Sequence, residues 1–116
     1  MSMHSMVELA HVDGNVSVAT LAGQKFPEGV TLESVAAMVG TAPTGAALTF
    51  TVRLEPAGTV ITTGTIAATE RIASFAAFDP IAVPVGTSWL ECRVTQVGST
   101  VAGADLKVNG KVSFDH

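Results

Sequence analysis

Ionic side chains are scarce in this chain. Only 14% of its 116 residues are Asp, Glu, Lys or Arg, against about 25% in an ordinary globular domain. The 6 basic residues stand singly and the net charge is −4. That leaves no clustered Lys/Arg footprint, and no nucleic-acid partner is expected. A single cysteine excludes an internal disulfide framework. Tyr is absent and Trp occurs once, which argues against an aromatic platform for sugars. No run approaches the roughly 18 consecutive apolar residues of a membrane helix. Met1-Ser2-Met3-His4-Ser5 is not the basic-then-apolar start of a secretory leader. No membrane partner is expected, and the chain reads as made and assembled in the cytoplasm.

Thr, Ala, Val and Gly take the place of the missing charge. A domain of this size exposes much of its surface and normally coats it with ionic groups. Two outcomes are open: a bland exterior of small residues, or an exterior partly buried against other chains. The second is the expectation here.

Periodicity two dominates from Asn15 onward. Val16 and Val18 alternate with Ser17 and Ala19, and Phe26-Pro27-Glu28-Gly29 reads as a turn. Leu48, Phe50, Val52 and Leu54 alternate with Thr49, Thr51, Arg53 and Glu55, the signature of a half-buried strand. Leu90, Cys92 and Val94 face one way and Trp89, Glu91, Arg93 and Thr95 the other; Leu106, Val108, Val112 and Phe114 again share parity. Between Val30 and Val39 the parity switches near Glu33-Ser34, which predicts a bulge or a bend between sheets. Thr59 to Ala67 is strand-like but broken by Gly64, and Ile72 to Phe75 reads as another strand. Pro80 and Pro84 confine Ile81 to Val83 to a sheet edge or a loop.

About eight short strands and no long helix result. The fold class is all-β, an antiparallel sandwich of jelly-roll type, with an immunoglobulin-like sandwich as the runner-up, unsupported by any Cys…Trp…Cys pattern. Residues 15–116 form the single sandwich domain. Residues 1–14 lack clear alternation and read as an N-terminal arm, in which Met3, Met6, Val7 and Leu9 are candidate contacts to a partner. Trp89 and Arg93 complete the candidate interface, because a Trp opposite a core face is a frequent hot spot.

One segment recurs loosely 58 positions on. Val39-Gly40-Thr41 and Gly45-Ala46-Ala47-Leu48 match Val97-Gly98-Ser99 and Gly103-Ala104-Asp105-Leu106. Each copy is a glycine-bounded turn between alternating segments, and the expectation is a pair of related β-hairpins.

No catalytic set assembles. His4, His11 and His116 lie at the chain ends, and no strand–nucleophile–helix elbow exists. Cys92 sits among apolar neighbours and reads as a buried hydrophobe. Asp13-Gly14-Asn15 lacks the later ligands of a calcium loop, and neither glycine pair precedes a Lys and a helix as a phosphate loop requires. Asp105 has no partner acid at the repeat offset. The chain is therefore expected to be no enzyme and to hold no metal and no cofactor.

The stretch Gly40-Thr41-Ala42-Pro43-Thr44-Gly45-Ala46 and the stretch Gln96-Val97-Gly98-Ser99 with Gly103-Ala104-Asp105-Leu106 resemble a family of bacteriophage virion proteins. In that family such turns flank a β-rich domain of head-decoration, head-fibre and tail-fibre proteins. The resemblance covers roughly residues 30 to 114. The chain departs from the family at Thr49-Phe50-Thr51, where members often carry an aspartate-rich strand, and at Gly86-Thr87, where they often carry Gly-Asp. The resemblance implies a structural virion protein, a decoration or cement module on the phage head. Its partners would be itself, as a homotrimer, and the major capsid protein or another virion protein. A receptor- or glycan-binding tail-fibre domain is the alternative.

Overall fold

The computed structural model describes residues 2–21, 29–84 and 88–115. Among them every regular element is a strand: β1 (Ser2–His11), β2 (Ala19–Thr20), β3 (Val30–Met38), β4 (Leu48–Glu55), β5 (Thr59–Ile66), β6 (Ser74–Phe75), β7 (Ile81–Val83), β8 (Trp89–Gln96) and β9 (Lys107–Asp115). The turn expected at 26–29 lies largely outside the described residues, and Gly86-Thr87 lies wholly outside them.

The pairing is nested. β1 pairs with β9, β2 with β8, β3 with β7 and β4 with β5, all antiparallel. That is one long hairpin folded back on itself. Wrapping it adds the pairs β3·β9 and β4·β8 and splits it into a sheet β1-β9-β3-β7 and a sheet β2-β8-β4-β5-β6. Nested pairing wound into two facing sheets is the jelly roll. β6 is an added rung beside β5.

Alternation fills the space between the sheets. Leu48, Phe50 and Val52 of β4, Leu90, Cys92 and Val94 of β8, and Val108 and Val112 of β9 are all fully buried. The parity switch in β3 is a bulge: the β3·β9 register slips between Leu32 and Ser34, so that Glu33 is the extra residue. Residues 2–11, read from sequence as part of an arm, form β1, paired along its length with β9. A second bulge explains the missing alternation, because the register slips between Glu8 and Ala10 and both Leu9 and Ala10 are buried.

Gly64 does not weaken β5; it makes room. It lies between Phe50 and Phe75 in register, and the two rings meet over it edge to face, centroids 5.6 Å apart at 77°. A Cβ at Gly64 would stand 2.5 Å from Phe50 and 2.6 Å from Phe75.

The two repeated turns are not hairpins. The first joins β3 to β4 and the second β8 to β9, and each crosses from one sheet to the other. The connections 39–47 and 97–106 are longer than the roughly two to five residues of a hairpin loop and span the gap of about 10 Å between packed sheets. The corners pair instead with one another, through Thr41↔Ala104 and Thr44↔Val101. Thr44 N–H donates to Val101 C=O at 2.9 Å, Thr100 N–H to Thr44 C=O at 3.0 Å, and Ala104 N–H to Thr41 C=O at 3.1 Å. The Thr44 hydroxyl accepts from Val101 N–H at 3.1 Å.

This pairing makes the repeat a pseudo-twofold. Shifting by the repeat offset carries β3 onto β8 and β4 onto β9, which exchanges the two sheets. The pair Met38↔Lys107 maps onto Gln96 and Thr49, and Thr49↔Gln96 is itself a pair. The second glycine of each copy has positive φ, 82° at Gly45 and 103° at Gly103.

The first glycines differ. A Cβ at Gly98 would sit on the Val101 carbonyl oxygen and 2.8 Å from Thr44 N, both backbone; at Gly40 it would meet the Asp105 side chain at 3.1 Å. Gly98→Ala is expected to lower stability by about 2 kcal/mol or more, and Gly40→Ala by less than about 1 kcal/mol. Urea unfolding of both variants measures this; equal losses would mean that the corner contact does not constrain the fold.

Candidate interaction surface

The outer face of the five-stranded sheet carries Arg53, Glu55, Glu91 and Arg93, and holds them in pairs. Arg53 donates from Nε to Glu55 Oε1 at 3.0 Å and from Nη2 to Gly58 C=O at 3.2 Å. Arg93 lies 3.6 Å from Glu91 and donates to Thr20 Oγ1 at 3.1 Å. Arg53 stands directly opposite Glu91 in register. The Glu55 and Glu91 side chains are each only 14% exposed. Threonines surround this lattice, with Thr49 and Thr95 joined at 2.8 Å. Trp89 and Arg93 lie on this face, as their parity predicts, but Trp89 is half-buried. Its indole N–H points at Glu91 Oε2 at 3.4 Å, so the ring lies along its own strand.

The outer face of the four-stranded sheet is more apolar. Met6 of β1 is 59% exposed and Met38 of β3 52%; each stands opposite a lysine of β9, Lys111 and Lys107. Ile72, 71% exposed, bridges Met38 in an isolated pair. Ala36, Ala37, Met38, Ile72 and Asn109 line a shallow groove of ≈ 220 Å³. Of the other candidate contacts on β1, Val7 is half-buried. Leu9 is 3% exposed and belongs to the core; its place there follows from the bulge. Met3 pairs with Phe114. Met38 and Ile72 were not singled out by sequence. Met38 carried a signal in the outward parity of β3 after its bulge, whereas Ile72 carried none.

Titratable side chains meet at one hollow, lined by His11, Asp13, Asp105 and Lys107. His11 bonds Asp13 at 3.0 Å and approaches Glu8 at 3.8 Å. Asp105 clamps the β1–β2 connection: its carboxylate accepts from Gly14 N–H at 2.9 Å, while its own N–H donates to Gly14 C=O at 2.9 Å. Among the described residues, no group of three His, Cys, Asp or Glu is placed to hold a metal ion. Cys92 is buried, and its burial, with the nearby Glu91 charge, pushes its thiol from 9.0 up to about 12.

No protein-family model matches the chain, and no curated protein does. Among solved structures, the chain is similar to one described as the cryo-EM structure of the virus-like particle of the giant freshwater prawn Macrobrachium rosenbergii extra small virus. Identity is 8% and the TM-score 0.46, with 99% of this chain and 80% of that chain covered. The jelly roll is established by the strand order, independently of that likeness.

The Cys92 thiol sets a test. A thiol reagent at about pH 8 is expected to leave the folded chain unmodified and to label it once urea unfolds it. The folded chain keeps this proton between pH 9.0 and about 12, where the unfolded chain loses it. Stability from this group is therefore full below pH 9 and falls as pH rises through that window. Cys92→Ala is expected to show a shallower alkaline loss in urea titrations.

Proposed function

We propose that the chain is a structural virion protein, a jelly-roll module that associates with itself and sits on a capsid as decoration or cement. The observation that carries this reading is the distribution of charge and apolar surface on the fold. The arginine and glutamate side chains of the outer five-stranded face neutralise one another, while Met6, Met38 and Ile72 on the other face stand open to water. They are three of the six exposed large apolar residues among the described ones, Val18, Val60 and Val101 lying elsewhere, and an apolar patch on one face marks contact with other chains. Burying them against neighbours stabilises an assembly at roughly 25 cal/mol per Å², less the loss of freedom on association. A module bridging shell subunits would resist internal pressure by tying neighbours together.

The turn sequences that resemble phage virion proteins add the phage head as the setting and the threefold positions of a shell as the place, hence a homotrimer bound to the major capsid protein or another virion protein. Assembly in the host cytoplasm and presence in the virion follow from the same reading. Jelly rolls also serve as lectins, which keeps a glycan- or receptor-binding tail-fibre domain as the alternative.

Light scattering is expected to give a multiple of the 11.8 kDa chain mass, and quantitative mass spectrometry of the purified virus many copies per particle. Trp89→Ala tests the five-stranded face: an interface role predicts association weakened about tenfold or more with the fold retained, and a cap over its own strand predicts lost stability with association unchanged. Absence from purified heads together with binding on a glycan array would replace the decoration reading by the tail-fibre one.

A further inference from the structure

A sandwich has four outer sheet edges, and an open edge invites another strand. Three of them are blunted here. β2 and β6 are two residues long, and β7 is three residues between Pro80 and Pro84. The fourth, β1, is ten residues long and contains no proline, lysine or arginine. Among the described residues, nothing pairs with its outer side. Its bulge falls at Leu9, which leaves Ser2 to Glu8 regular.

We infer that β1 pairs edge to edge, antiparallel, with β1 of a second copy, joining two four-stranded sheets across a twofold axis at Met6. This inference rests on the self-association proposed above and names its contact. The sequence is self-complementary in that register. Met6, the most exposed apolar residue described on β1, meets its own copy. Glu8, the single acid of the strand, stands opposite His4, and no like charges face each other. A twofold contact of this kind is isologous and closes at two copies; between trimers it joins them in pairs.

Sedimentation of the chain is the test, over roughly 10 μM to 1 mM, the range that a modest strand-pairing contact spans. Dimers, or hexamers built from two trimers, are expected. Within one subunit Met6 stands opposite Lys111, so Met6→Glu adds a favourable cross-strand pair and leaves the fold intact by circular dichroism. Across the axis it sets two carboxylates face to face and is expected to weaken the twofold contact about tenfold or more. Met6→Lys is expected to weaken it likewise, and an equal mixture of the two variants to restore it as a heterodimer.

Trimers unaffected by Met6→Glu would overturn the β1 contact and leave the self-associating module standing. A monomer throughout would overturn both. A monomer whose attachment to the shell is lost on Met6→Glu would assign the edge to a strand of another protein and overturn the second copy as its occupant.

Discussion

The pairing of the two corner turns is the constraint on which the architecture depends. A jelly roll needs its long hairpin to bend so that each arm contributes strands to both sheets. Here the bends at 39–47 and 97–106 hydrogen-bond to each other, so neither can move without the other. The same contact fixes registers at some distance. With Thr41 opposite Ala104, Met38 falls opposite Lys107, and the related pair Thr49↔Gln96 follows at the mirrored place in the other sheet. The central strands of both sheets, β3 with β9 and β4 with β8, grow out of one junction. Backbone groups that a bend would leave unpaired are satisfied in the same step.

Much of this was legible in the chain, and the gaps have physical causes. Strict alternation in β4 and β8 showed in the sequence because both strands have one face on the core, and side-chain direction then has period two. The slip at Glu33 was legible as a bulge because it reversed the apolar parity inside one strand-like segment, from Val30 and Leu32 to Val35, Ala37 and Val39. The bulge at Leu9 was not, because Leu9 and Ala10 are both buried and the strand before it is too polar to show a phase. The repeat was visible, but its meaning was not. A glycine-bounded turn between alternating segments looks the same whether the chain returns to its own sheet or crosses to the facing one. What decides is the partner of each flanking strand, and those partners lie far away in sequence.

The candidate surface divides along the same line. Parity placed Trp89 and Arg93 on the outer face correctly. It did not reveal that Glu91 lies beneath the Trp89 indole N–H and against Arg93, a contact that draws the ring down onto its own strand. Met6 and Met38 become neighbours of the β9 lysines through pairing across the four-stranded sheet, and the bridge that sets Ile72 beside Met38 is long-range. Exposure of an apolar side chain is a property of the wrapped pair of sheets, so local sequence indicates which way a residue points and not what covers it.

The scarcity of charge gains its meaning from this placement. A few ionic groups spread evenly would keep every face wetted. Here Arg53, Glu55, Glu91 and Arg93 satisfy one another on one sheet, and a mutually paired set at a half-buried site contributes little to solvation of the remaining surface. On the other sheet Lys107 and Lys111 are exposed on β9, flanked by Met38 and Met6. Lysine stems cover apolar area while their ammonium groups stay in water. A neighbour can bury such a face without stranding a charge, provided that each ammonium keeps access to water at the rim.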